Sequence, residues 1–141
     1  MQNKALVYVC LKDGDILPDL GGMKLFKAIV VIEDDVSQMW QWEVSRWLVR
    51  SGCRYMMAWG KEPSSWDDSV DEANLEAFDY EDIPDTEFIM TTWHDDEELS
   101  EVFWFSKNSA GHPVYVLSET VILHISHTDK ERQLKDLYAT A

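Results

Sequence analysis

Short apolar runs alternate along the chain with segments of helical periodicity. Runs rich in β-branched and aromatic residues lie at 5–11, 25–32, 53–59 and 87–93, and a fifth run at 114–125 is long enough for one strand or two. The central runs lack alternating polar positions, which is typical of strands buried on both faces of a sheet. The pattern therefore predicts a sheet of about five strands, and the first strand is a candidate for an antiparallel edge.

The intervals between these runs carry helical patterns with recognisable ends. The first helix is predicted to begin at Asp34 or Asp35, either of which suits an N-cap, and to stop at Gly52. Three later helices begin near an N-cap residue followed three positions on by an acidic residue, the pattern of a capping box. These pairs are Ser65 with Asp68, Asp95 with Glu98, and Thr128 with Glu131.

Strands that alternate with helices imply right-handed crossovers and a mostly parallel sheet. A chain of 141 residues is the length of one ordinary domain. We therefore predict that residues 1–141 form a single acidic α/β domain, a three-layer sandwich with a mostly parallel central sheet of about five strands flanked by helices.

The charge of the chain is concentrated in one segment. The formal net charge is -15, yet residues 62–106 contain sixteen Asp or Glu and no Lys or Arg, and the rest is close to neutral. Such a negative field repels nucleic-acid backbones and anionic membranes, so neither is expected as a direct partner. It attracts cations and basic proteins. The segment also carries several Trp residues, which are more useful for binding than for solubility.

Cysteine usage and the N-terminus bear on the compartment. Cys10 and Cys53 each lie at or in an apolar run and lack a CxxC neighbour, so we expect buried thiols and no zinc-binding cysteine site. The N-terminal apolar run has no small-residue cleavage site and is interpreted as a strand, not a signal peptide. Together these features predict a cytoplasmic protein.

Acidic residues follow two of the predicted core strands. Glu33 follows one, and the pair Asp95 and Glu97 follows another. Together with the order of elements across 25–126, this arrangement resembles TOPRIM domains, where a Glu and a DxD pair hold magnesium for phosphoryl transfer. The resemblance implies Glu33, Asp95 and Glu97 as catalytic residues and a divalent cation as cofactor. The chain departs from the family pattern: Glu33 has no Gly after it, the pair is Asp-Glu, and no Lys or Arg stands nearby.

Other catalytic chemistry has less support in the sequence. The turns after the strands carry carboxylates and no Gly-rich motif, which argues against a phosphate or dinucleotide site. A zinc or acid–base site is a further alternative if strand-end histidines approach each other, although none has HxH or HxxxH spacing. Its candidate residues are His94, His124, His127 and Asp95.

The favoured hypothesis is a non-enzymatic module, without a cofactor, that binds a basic protein partner through the acidic segment. Small acidic immunity proteins and nucleic-acid mimics are analogous in size and charge, and a metal-dependent phosphoryl-transfer or hydrolytic enzyme is the alternative. Acidic side chains would steer the partner and aromatic ones would anchor it. The predicted binding residues are Trp66, Asp67, Asp68, Asp71, Glu72, Tyr80, Glu81, Asp82, Asp85, Trp93, Asp96 and Glu97.

Overall fold

A computed structural model describes residues 6–20, 23 and 25–141, and one five-stranded sheet organises them. The strands, in chain order, are β1 (Leu6–Leu11), β2 (Phe26–Ile32), β3 (Cys53–Gly60), β4 (Met90–His94) and β5 (Thr120–Ile125). The helices are α1 (Gln38–Ser51), α2 (Pro63–Ala77), α3 (Leu99–Asn108) and α4 (Glu131–Thr140), and a short 3₁₀ turn covers Asp85–Glu87.

Every strand pairing is parallel, and the order across the sheet is β1-β5-β2-β3-β4. The predicted single-domain α/β fold with a mostly parallel five-stranded sheet is confirmed. The first strand is indeed at an edge, but it runs parallel to β5, so the expectation of an antiparallel edge was wrong. Position 5, predicted to belong to this strand, lies outside the described residues.

Two apolar cores lie on the two faces of the sheet. One packs α1 and α2 against side chains such as Ala28, Val30 and Met56, and the other packs α3 and α4 against Ile29 and Met57. The alternation follows from the pleat, which sends successive side chains of β2 and β3 to opposite faces. Among the described residues, no helix is both long and apolar enough to cross a membrane.

The N-caps of the helices differ from those predicted. Ser37, not Asp34 or Asp35, caps α1, because its side chain accepts the backbone N–H of Trp40. Gly52 does end this helix, in the left-handed region at φ 102°.

The other three caps were also predicted at the wrong residues. α2 begins with Pro63 after Glu62, and the capping pair Ser65 with Asp68 is not formed. The capping box of α3 lies three residues later than predicted, at Glu98 and Glu101, and α4 begins at Glu131 after Lys130, not at Thr128.

Two strands are shorter than the apolar runs that predicted them. The pairing of β4 with β3 starts at Met90, not at residue 87. Residues 85–87 form the 3₁₀ turn instead, and Ile89 donates its N–H to the Asn74 side chain. The run at 114–125 contributes only Thr120–Ile125, and 114–119 is irregular. Neither thiol forms a disulfide: Cys53 is buried as expected, whereas Cys10 is only half-buried.

Candidate functional site

The carboxyl ends of the parallel strands form one rim, and the rim has a topological switch point between β5 and β2. The helix after β2 packs on one face of the sheet, and the helix after β5 packs on the other. Ligands of open α/β sheets bind in the crevice that such a reversal creates. At this point of the rim the side chains of Glu33, His124 and Lys130 are hydrogen-bonded to one another.

These side chains form a closed hydrogen-bonded network with Tyr8. One carboxylate oxygen of Glu33 lies 2.5 Å from His124 Nε2, and the other accepts from Lys130 Nζ at 2.9 Å. The Tyr8 hydroxyl lies 2.6 Å from His124 Nδ1 and accepts the backbone N–H of Lys130 at 3.0 Å. The contacts are all satisfied when His124 carries its proton on Nε2 and Tyr8 donates to Nδ1.

Burial and the contacts of the network shift the pKa values of Glu33 and Tyr8. Burial tends to raise the pKa of Glu33, but hydrogen bonds from Lys130 and His124 outweigh it, so the pKa lies below its ordinary value. Burial raises the pKa of Tyr8 far above its ordinary value. Glu33 is therefore a charged acceptor and Tyr8 a neutral hydroxyl, and both are hydrogen-bonded to His124.

Two of the candidate histidines, His94 and His124, are held apart by the strand order. Cys10, His124, Val31, Trp59 and His94 form one row across the sheet, from β1 to β4. Three strand spacings of about 4.8 Å separate His94 from His124, so about 14 Å lies between their backbones. The strand order therefore does not bring the rings of His94 and His124 together, as the zinc or acid–base alternative would need.

The other histidine and acid candidates of the predicted metal sites each contact a separate partner. His127 Nδ1 lies 2.6 Å from Asp34, His94 Nδ1 lies 3.2 Å from the Glu97 carboxylate, and Asp95 accepts the N–H of Asp96.

The TOPRIM-like trio is likewise dispersed, because β3 lies between the strand that precedes Glu33 and the strand that precedes Asp95 and Glu97. Within the described ranges, no three His, Cys, Asp or Glu side chains are placed to hold a metal ion.

The acidic segment, in contrast, folds around the lateral edge of the sheet that β4 forms. Residues 62–106 contain α2 on one face of the sheet, β4 at its edge, and most of α3 on the other face. We call the carboxylates of this segment the acidic wall. Among the described residues, only Glu76 and Glu87 of the wall pair with an arginine, Arg46 and Arg54 respectively.

The predicted binding residues divide into surface and core. Trp66 lies on the buried side of α2 and is only 2% exposed, so its prediction as a surface anchor was wrong. Asp67 is also buried. Tyr80 and Trp93 are 59% and 50% exposed, as a binding role requires. The remaining predicted acids are exposed: Asp68, Asp71, Glu72, Glu81, Asp82, Asp85, Asp96 and Glu97.

Sequence reasoning missed Trp104, which is 54% exposed. It lies beside Phe105 in a groove of about 600 Å³ whose rim includes Glu97 and Glu101. The available signal was the spacing along α3: Leu99, Val102 and Phe103 form the buried stripe, and position 104 falls outside it. The groove is an apolar slot bordered by carboxylates.

Asp67 and Asp71 are one helical turn apart on α2 and share a partner on β4. The Thr91 hydroxyl lies 2.7 Å from the Asp71 carboxylate and 3.2 Å from that of Asp67. Burial, followed by the nearby Asp71 carboxylate, raises the pKa of Asp67 to about 6. The negative charge of the wall beside β4 therefore increases between mildly acidic and neutral pH.

One family model matches residues 6–141, and its description is "Domain of unknown function (DUF7684)". No match was found among curated proteins or among solved structures.

Proposed function

The chain belongs to the DUF7684 family, whose description names no activity, and we propose from the geometry that it is a non-enzymatic module that binds a basic protein partner. The observation that carries this proposal is the acidic wall: sixteen carboxylates without a Lys or Arg in the same segment, folded onto one end of the sheet. Binding such a partner would neutralise it or occupy its nucleic-acid-binding surface.

The field of the wall supplies the first step of recognition. Carboxylates on both faces and at the edge of the sheet act in the same direction on an approaching cation, which raises the rate of encounter. Their charge is mostly uncompensated, because among the described residues two arginines and His94 make the salt-bridge contacts with the carboxylates of the wall. The association rate should therefore depend strongly on ionic strength.

Aromatic side chains on the wall supply the second step. Trp93, Trp104 and Tyr80 expose large apolar surfaces next to carboxylates, the composition of an anchor that excludes water from neighbouring ion pairs. The groove beside Trp104 and Phe105 accepts an apolar side chain, and its acidic rim favours basic residues on either side. A partner segment with basic and apolar residues fits this chemistry.

The test compares two variants with the same net charge. Asp68→Asn with Asp82→Asn removes two exposed charges from the wall, and Glu43→Gln with Asp136→Asn removes two exposed charges elsewhere. The probe is a soluble lysine- and arginine-rich protein, and association is followed by stopped-flow at about 50 to 500 mM salt. The wall variant should associate about three- to tenfold more slowly at low salt, while the control changes less than twofold.

Equal slowing by both variants would mean that the probe senses only net charge, and it would overturn the proposal of a specific wall. Rates that do not depend on salt for the unaltered protein would overturn it as well. The melting temperatures of both variants should match the unaltered chain, because none of the four side chains makes a salt bridge or a side-chain hydrogen bond in the described structure.

A further inference from the structure

The strand at the centre of the acidic wall has an unpaired outer side. β4 is the last strand in the sheet order, and β3 is its neighbour on the inner side. An edge strand presents a row of backbone donors and acceptors that is ready to pair with another extended chain. β4 also lacks the Lys, Pro or bulge by which edge strands are often protected.

The hydrogen bonds of the sheet determine which groups point outward. The Lys61 N–H donates to Ile32 O. At this end of β3, the N–H and C=O groups of odd-numbered residues therefore point to β2, and those of even-numbered residues point to β4. With Met56 opposite Thr91, the ladder then uses the groups of Met90, Thr92 and His94. The N–H and C=O of Thr91 and Trp93 point away from the sheet.

The outer side is open only over a short length. Before β4, the buried Asn74 side chain accepts the N–H of Ile89 and donates to Glu87 O, so it occupies the edge where a further strand residue would pair. No backbone hydrogen bond to Thr91 or Trp93 is found outside the ladder in the described structure. The free edge therefore offers two donors and two acceptors.

Charge selects what can pair there. Asp71 contacts the Thr91 hydroxyl on the α2 face, and Glu97 contacts His94 on the α3 face, so carboxylates flank the edge on both sides. A second copy of the chain pairing through β4 would bring two acidic walls together. A strand with Lys or Arg side chains would instead place them beside these carboxylates.

We propose that the basic partner docks by adding an extended, Lys- and Arg-bearing segment as a sixth strand along β4. This inference rests on the proposed function and specifies its geometry. Main-chain hydrogen bonds to Thr91 and Trp93 hold the segment, and alternate side chains meet Asp71 on one face and Glu97 on the other. Trp93 covers the end of the added strand on the α2 face.

The experiment uses a heptapeptide of sequence Lys-Lys-Val-Val-Lys-Lys-Val, which places lysines on both faces of an extended strand, and the same peptide N-methylated at every residue. Both carry the same charge, but the methylated peptide has no backbone N–H with which to pair along either edge. Amide hydrogen exchange of the full chain is measured by NMR at saturating peptide. Exchange at Thr91 and Trp93 should slow about tenfold or more, while Thr92, already bonded to β3, should not change.

The protein-side test replaces Thr91 itself. Thr91→Pro removes an outward N–H at an edge position where proline is tolerated, and Thr91→Val keeps that N–H but removes the hydroxyl. Pairing predicts loss of peptide binding in the first variant and its retention in the second. If the proline variant does not fold, the methylated peptide still decides the question.

The outcomes separate the two proposals. Salt-sensitive binding that is equal for both peptides, with unchanged exchange at Thr91 and Trp93, would overturn strand addition and leave the proposed function standing. No binding of either peptide at about 50 mM salt would overturn both. Protection of Thr91 and Trp93 at high protein concentration without peptide would assign the edge to a second copy of the chain, and would overturn the proposal.

Discussion

Glu33 and His124 lie 91 residues apart in the sequence, yet a carboxylate oxygen of the first is 2.5 Å from Nε2 of the second. His124 is fully buried, and its other ring nitrogen contacts the Tyr8 hydroxyl. The pair joins the ends of β2 and β5, and Tyr8 extends the connection to the edge strand β1. Glu33 thus ties neighbouring strands together at the position where the TOPRIM-like pattern implies a catalytic carboxylate.

The network should behave as one unit in stability measurements. Glu33→Gln and Tyr8→Phe should each lower the free energy of unfolding by about 1–3 kcal/mol, because each leaves a buried nitrogen of His124 with a weaker partner or none. The double variant should lose less than the sum, since both changes break the same chain of hydrogen bonds. Urea unfolding of the three variants provides the cycle.

The effect of Glu33→Gln should also depend on pH. The pKa of Glu33 is lowered from 4.5 in the folded chain, so its charged form stabilises the fold above the ordinary pKa, and that contribution is lost as pH falls through the folded value. The difference between the unaltered chain and the variant should therefore be present at pH 7 and shrink below about pH 4. In the urea-unfolding cycle, strictly additive losses of stability for Glu33→Gln and Tyr8→Phe would show that these two side chains act separately.

The sequence predicted the architecture because strand patterns and crossover rules are local. The apolar runs "AIVVI" and "CRYMMAW" have no polar alternation, and they form β2 and β3 at the centre of the sheet. Caps were predicted less well because several residues compete for each helix start. Asp34 looks like a suitable N-cap, but it accepts hydrogen bonds from His127, 93 residues away, and Ser37 takes its place.

The site was harder to predict because it depends on strand order. Local patterns place His94 and His124 at strand ends but do not reveal that two other strands lie between theirs. Tyr8 was unremarkable in the sequence, since only the pairing of β1 with β5 brings its hydroxyl to His124. The acidic wall was predictable because its residues are contiguous in the chain.

Gly60 should be intolerant of any side chain. It has φ 115°, and a Cβ atom built there would lie 2.1 Å from the Ile32 carbonyl oxygen, a backbone atom that cannot move aside cheaply. Gly60→Ala should cost about 2–4 kcal/mol of folding stability, because strain and a steric clash combine. Thermal unfolding measures the loss.

Gly111→Ala is the matched control for this substitution. A Cβ atom at Gly111 would have no neighbour within 4 Å, and its backbone does not lie in the left-handed region. This variant should be neutral or more stable by up to about 1 kcal/mol, because alanine restricts the unfolded chain. Similar melting temperatures for the two variants would contradict the close approach of β3 to β2.

Asp67 should make the fold more stable at acidic pH than at neutral pH. Its pKa is raised from 3.8 to about 6, so the folded chain holds a proton that the unfolded chain has lost between these values. The stabilisation is complete below the ordinary pKa and is lost as pH rises through the folded one. Asp67→Asn should therefore stabilise the chain at pH 7, by about 1 kcal/mol, and have little effect near pH 4.

Asp68→Asn is the control, since Asp68 is exposed and neighbours the pair without a hydrogen bond to Thr91. Its effect on stability should stay within about 0.5 kcal/mol at both pH values. Chemical unfolding at pH 4, 6 and 7 distinguishes the variants. An Asp67→Asn variant that is less stable than the unaltered chain at pH 7 would contradict a carboxylate held under electrostatic strain.

Trp66 and Trp104 separate the role of the acidic segment in folding from its role in binding. Trp66, on the buried side of α2, is 2% exposed, and truncating it to alanine should cost about 3–5 kcal/mol of stability. Trp104 is 54% exposed, so Trp104→Ala should change the melting temperature little. If the groove beside Phe105 receives an apolar side chain, however, the same variant should bind the basic probe about tenfold or more weakly. Calorimetry of the unaltered and Trp104→Ala chains with that probe measures both quantities, and unchanged affinity would remove the groove from the binding surface.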